Sequence, residues 1–129
     1  MSANTTPRFT DGGRVWPGQV TTANANLDGT GAVVTVVTAG ANGSLIELIR
    51  LKATVTTTGG MVRVFIHDGT NFRLYHEIPV TAATPSATVA AYSAEYLPTT
   101  PLVLPTGYTL RFSTANSEAI NVVCSGGDY

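Results

Sequence analysis

GGMVRVFIHDGTNFRLYHEI, residues 59–78, decides the fold class. Val62, Val64 and Ile66 alternate with Arg63, Phe65 and His67. After the turn letters Asp68-Gly69-Thr70-Asn71, Phe72, Leu74, His76 and Ile78 alternate with Arg73, Tyr75 and Glu77. Period-two alternation around a DG pair reads as two antiparallel strands joined by a tight turn. Cross-strand neighbours share a face, so the parity of the loop decides which residues meet. An even loop sets Val62, Val64 and Ile66 against Arg73, Tyr75 and Glu77. An odd loop, Asp68 to Thr70 or His67 to Asn71, sets them against Phe72, Leu74 and His76 and makes one apolar face. The odd loop is therefore the expected one. The other face then groups Met61, Arg63 and Phe65 with Arg73, Tyr75 and Glu77. Arginine beside aromatic rings gains cation–π energy, which suits water or a second protein surface.

The rest of the chain agrees with an all-β reading. Its 129 residues fit one domain with a single core. Charged residues make up 12%, about half the share of an ordinary soluble chain. Thr, Val, Ala and Gly dominate, a mix that favours strands and turns. A net charge of −1 without any charge run argues against nucleic acid as a partner. No run reaches the length needed to cross a bilayer, so no membrane is expected. The opening MSANTTPRFT has no apolar core and does not read as a secretory signal. The single cysteine, Cys124, allows no intrachain disulfide and reads as a small buried hydrophobe.

Residues 1–26 stand apart as an extended N-terminal arm, with residues 27–129 as the β-sandwich domain. The arm is polar, with isolated Phe9, Val15 and Trp16, and a stretch near Arg14 to Thr22 reads as an edge strand. Pro17 confines that strand to an edge or a bulge. Trp16 anchors the arm on a partner or caps its own core; both readings stand at this point. Leu27 to Gly31 is a turn. AVVTVVT at 32–38 is a buried strand, and AGANG at 39–43 a turn. SLIELIRLKATV at 44–55 has partial helical spacing. Its alternation, violated only at Glu47, favours a strand with a bulge there. Residues 88–97, 102–104, 108–113 and 119–124 complete the set, and SGGDY at the end reads as polar and flexible. About eight short strands between turns point to a two-sheet antiparallel sandwich, jelly-roll-like in kind.

No motif in this chain spells catalysis. His67 and His76 fall near opposite ends of the hairpin and on opposite faces, so no metal site is expected. The acidic residues are spread singly, without the facing carboxylate pair that a glycosidase needs. No GxSxG elbow or phosphate loop is present. The chain is therefore expected not to be an enzyme and to carry no cofactor. Phe65, Tyr75, Tyr92, Tyr96 and Tyr108 form a candidate sugar platform or, by the commoner reading, ordinary aromatic packing.

Several strings resemble one family. NANLDGTG at 24–31, TAGANGSLIELIRLKA at 38–53, the hairpin, TPSATVAAY at 84–92 and the final GGDY look like those of small β-rich virion proteins of tailed bacteriophages. The resemblance implies a capsid decoration (cement) protein that binds and stabilises the head shell. Its partner would be the major capsid protein or another virion protein. It would associate as a homo-oligomer, a trimer being favoured, and reside in the virion after synthesis in the host bacterial cytoplasm. The alternative is a carbohydrate- or receptor-binding module of a phage fibre or tail. The residues expected to meet a partner are Phe9, Trp16, Arg63, Phe65, Arg73 and Tyr75.

Overall fold

The computed structural model describes residues 9–129, and residues 1–8 of the expected arm lie outside them. The described chain forms nine strands in order: β1 (Gly12–Val20), β2 (Val34–Thr38), β3 (Ser44–Ala53), β4 (Gly60–His67), β5 (Phe72–Val80), β6 (Ser93–Tyr96), β7 (Leu102–Leu104), β8 (Thr109–Thr114) and β9 (Ile120–Asp128). One sheet runs β1-β9-β3, with β6 and β7 both on the far side of β3; the other runs β2-β8-β4-β5. All of these pairings are antiparallel.

The pairings are nested: β1 with β9, β2 with β8, β3 with β6 and β7, and β4 with β5. This is one long hairpin rolled up, successive pairs landing on alternate sheets. That arrangement is the double-sheet jelly roll. Between the sheets lies a core led by Ile46, Ile49, Leu51, Val62, Val64, Leu110, Phe112, Ile120 and Val122, all fully buried.

β3 is a strand, as its alternation favours. Its register shifts between Ile46 and Leu48, which leaves Glu47 as the bulge residue. The bulge has a clear cause. Ile46 and Ile49 are three residues apart, and both face the core only if one extra residue is looped out between them.

The hairpin loop differs from expectation. His67 pairs with Phe72, so the loop holds four residues, Asp68 to Asn71. The Asp68 carboxylate explains this. It accepts hydrogen bonds from the Thr70 N–H at 2.9 Å and the Asn71 N–H at 2.7 Å, while Gly69 takes a φ of +98°. Such an Asx-type turn closes an even loop. The apolar face is recovered one step later. Tyr75 is looped out as a bulge, so Phe65 faces Leu74 but Val64 faces His76 and Val62 faces Ile78. Phe72 and Leu74 consequently share the outer face with Phe65 rather than the core face with Val64.

Two terminal segments belong to the body of the sandwich. Residues 12–20 of the expected arm form β1, an edge strand paired with β9 from Gly12 to Val20. Pro17 sits on that edge as anticipated, and Trp16, 5% exposed, and Val20 reach the core. The ending SGGD is likewise ordered as the last part of β9. Gly126 is why: a Cβ there would collide with the Leu45 carbonyl, so only glycine lets β9 run beside the β3 bulge. The segment at 88–97 yields a strand only over Ser93–Tyr96, because the Ser86 hydroxyl accepts from the Thr88 and Val89 N–H groups and holds that stretch in a turn. Pro98 and Pro101 then separate β6 from β7.

Candidate functional site

The two outer faces of the sandwich are unlike. On the four-stranded sheet, Arg63, Phe65, Phe72, Leu74 and Arg111 lie outward. Of the Arg–aromatic face anticipated from the hairpin, Arg63 and Phe65 are here, but the register brings Phe72, Leu74 and Arg111 beside them in place of Arg73 and Tyr75, and the protein's own chain covers the face. Residues 24–31 fold back over it as a loop clamped by Asn24. The Asn24 side-chain amide donates to the carbonyls of Thr30 at 2.8 Å and Ala32 at 2.9 Å, and its oxygen accepts from the Asn26 N–H at 3.0 Å. The Asn24 N–H donates to the Thr114 carbonyl at 2.8 Å and ties the loop to β8. Asp28 accepts from the Thr30 hydroxyl and N–H, bonds that hold its carboxyl below the usual range. Gly29, at φ +87°, sits so close to Phe72 that a Cβ would strike the ring. Beneath the loop, Phe65 is fully buried and meets Phe72 edge-on at 6.2 Å between centroids. The Arg111 guanidinium lies 5.2 Å from the Phe72 ring centre.

The expected partner residues are therefore dispersed. Arg63 and Phe65 share the roofed face, with Arg63 3.4 Å from Glu77. Arg73 is exposed near the hairpin turn and donates to the Phe72 carbonyl at 2.9 Å. Tyr75, the bulge residue, packs edge-on against Tyr96 at 6.2 Å. Burial first, and then the bond to Tyr96, pushes its phenol up to about 12. Trp16 is inside the sandwich, and its indole N–H has no hydrogen-bond partner among the described residues. Phe9, at 80% exposure, stands at the start of the described chain.

Neither histidine is placed for metal chemistry. His67 accepts from the Gly69 N–H and packs on Phe72 at 4.4 Å. His76 stacks on Tyr96 at 3.8 Å across the gap between the sheet edges. Among the described residues no group of three His, Cys, Asp or Glu is disposed to hold an ion. Cys124 is buried in the core, and loss of solvation pushes its thiol up to about 12. The aromatic platform does not assemble either: Phe65 and Tyr92 are buried, and Tyr75, Tyr96 and Tyr108 are partly covered. Among the described residues no helix is long and apolar enough to cross a membrane.

Among the described residues no loop roofs the outer face of the five-stranded sheet, and only the Thr10 side chain lies over it, against Gly127. Cross-strand rows place Val15 beside Ser125 and Leu48, Pro17 beside Val123 and Arg50, and Gly127 beside Leu45 and Val103. Val15 is 62% and Val103 48% exposed. Polar pairs border this apolar band: Arg50 with Glu95 at 2.6 Å and Gln19 with Asn121 at 2.9 Å. Lys52 donates to the Ala91 carbonyl at 3.0 Å. A shallow hollow open to solvent runs along Arg50, Lys52, Ser93 and Glu95. The sequence reading missed this face. Its signal was the apolar content of both phases of residues 44–53, together with Val15 and Pro17 flanking Trp16.

With that geometry in hand, the chain compares with known proteins as follows. No family model matches it, and no curated protein does. Among solved structures it is similar to a pentameric capsid protein isolated from metagenomic phage sequences. The likeness has 13% identity and a TM-score of 0.45, over 88% of this chain and 61% of that one. A second structure with that description gives 11% identity and a TM-score of 0.42 over the same shares. A chain of infectious bursal disease virus gives 14% identity and a TM-score of 0.34, over 97% of this chain and 36% of that one. The chain thus spans about three fifths of the length of the phage capsid chains it is similar to.

Proposed function

We propose that this protein is a structural component of a phage virion, a decoration (cement) protein that binds the head shell and stabilises it. The observation that carries the reading is the outer face of the five-stranded sheet, where an apolar band with Val15 and Val103 exposed has no loop over it among the described residues, and exposed Phe9 enters beside it. Such a surface fits contact with another macromolecule; small-molecule sites are concave and enclose their ligand. A jelly roll by itself leaves function open, since capsid proteins, lectins and cupins all use it. The resemblance of several strings to those of small phage virion proteins supplies the setting.

In this role the sandwich is the rigid body, and the segment that precedes β1 adds contact with neighbouring shell subunits. Copies associate around local three-fold positions as trimers. Binding favours only the assembled shell and so stabilises it by mass action. Catalysis has no place in the scheme.

The test uses heads of the phage that encodes the protein, assembled without it. Purified full-length protein should co-sediment with them and raise the temperature at which they release DNA. Removing residues 1–9 should abolish attachment while the circular dichroism spectrum stays unchanged. Full attachment of the shortened protein would overturn the role of this segment. Absence of any binding by the full chain would overturn the decoration reading. The deletion stops at Phe9 because Gly12 begins β1.

A further inference from the structure

We propose that the outer face of the five-stranded sheet is where this protein pairs with a second copy of itself, face to face about a two-fold axis.

Three observations select that occupant. The first is the contrast between the two sheets. Residues 24–31, pinned by Asn24, roof one outer face, while among the described residues no loop covers the other, although it holds Val15, Pro17, Leu45, Leu48, Val103 and Val123.

The second is shape and extent. Small residues, Gly13 and Ser125, lie among the apolar ones, and the long side chains Arg50, Lys52 and Glu95 are gathered toward the β6 side, which leaves the β1–β9 side low enough for a facing sheet. The Thr10 side chain rests against Gly127, which brings exposed Phe9 to the border of the same face. Four strands about 4.8 Å apart and about 30 Å long present roughly 600 Å² per copy, roughly 1,200 Å² for a pair. That clears the roughly 1,000 Å² that a specific interface needs.

The third is charge. Arg50 and Glu95 stand side by side on this face, both exposed. A two-fold axis between them sets Arg50 of each copy against Glu95 of the other. A contact of this isologous kind is satisfied by one surface meeting itself. A partner of strong single-sign charge would leave one of the two opposed.

This pairing uses the face on which the decoration reading rests, so the free dimer must part for a copy to seat on a shell through it. Lateral contacts of a trimer on a shell run through strand edges and loops, which face-to-face pairing leaves open.

The experiment is sedimentation velocity of the full chain over a wide concentration range. Wild type should pass from monomer to dimer as concentration rises. Val15→Asp and Val103→Asp should weaken pairing about tenfold or more. Their thermal unfolding should match wild type at concentrations where wild type is monomeric, since both side chains point to solvent. Leu27→Asp, an exposed apolar residue on the roofing loop, should leave pairing unchanged. Arg50→Glu and Glu95→Arg should each be monomeric alone, and a mixture of the two variants should pair. Recovery in the mixture reports contact between copies, because neither variant repairs its own intrachain pair. A wild type that is monomeric throughout overturns the proposal, as does pairing indifferent to Val15→Asp and Val103→Asp. A mixture that fails to recover overturns the two-fold arrangement. Shell binding is scored separately: heads should compete with pairing, whereas a wild type that pairs but binds no heads upholds this proposal and overturns only the decoration reading.

Discussion

A single amide, that of Asn24, holds the loop that closes one side of the molecule. It is 6% exposed, and three backbone groups depend on it. Asn24→Ala leaves the Thr30 and Ala32 carbonyls and the Asn26 N–H to find other partners. The expected cost is about 2–3 kcal/mol, given the price of unpaired groups near a sheet surface. Urea unfolding gives that number, and hydrogen exchange should quicken in residues 23–32 first. Gly126 is a second point of this kind. Gly126→Ala forces a methyl onto the Leu45 carbonyl, with an expected loss of about 3 kcal/mol or more. Gly13→Ala meets nothing within 4 Å and should change the unfolding temperature little, which makes it the control. Neither role was legible in the letters. NANLDGTG reads correctly as a turn, but which side chain ties the turn depends on β8 arriving beneath it. GGDY reads as a loose tail until the β3 bulge shows why two glycines are required.

At the scale of elements, periodicity carried most of the information, and local exceptions carried the errors. The alternation in β3, β4, β5 and β8 was readable, and so was the bulge at Glu47. The hairpin phase was not. Parity reasoning assumed a regular ladder, whereas an even Asx-type loop and a bulge at Tyr75 together give the same apolar face for Val62 and Val64. Of the anticipated Arg–aromatic face only Arg63 and Phe65 stay together, with Phe72 and Arg111 replacing Tyr75 and Arg73, and loop 24–31 covers them. That covering is tertiary, and no local pattern announces it. β9 offers a test of burial within an element. Its thiol, Cys124, is raised from 9.0 to about 12 by desolvation. A folded-state value above the unfolded one means that this contribution is fully present below about pH 9. It is lost as pH rises toward 12, because the unfolded chain releases a proton that the folded chain keeps. Stability should fall by about 1.4 kcal/mol per pH unit in that window for this one group. Tyr75, raised from 10.0 to about 12, steepens the fall in its upper part. Urea midpoints measured across the window should show the slope, and Cys124→Ala should flatten its lower part while costing some stability at neutral pH. An unchanged slope in that variant would place the thiol in water.

For the whole molecule, composition and turn spacing were enough for a two-sheet sandwich, but the nested pairing was not readable. Each pair joins segments whose separation grows outward, from β4 with β5 to β1 with β9, and pattern carries no record of such distant partners. The outermost pair has the clearest consequence. β1 lies against β9 along its whole length and delivers Trp16 and Val20 to the core. Without it, β9 becomes a bare edge, and Val122 and Cys124 lose part of their cover. Large buried aromatic groups cost about 3–5 kcal/mol when deleted, on the order of the whole stability of a small domain. A chain starting at Thr21 should therefore fail to fold or should aggregate through the exposed strand edge. A chain starting at Thr10 should unfold at the same temperature as the full protein. Trp16 is the single tryptophan, so its fluorescence reports this closure directly. The native protein should emit at short wavelength, as a buried indole does, and shift to the red as β1 leaves β9. If the native emission already matches that of the unfolded chain, Trp16 is in water, and the segment that carries it is a free arm rather than the outer strand of the roll.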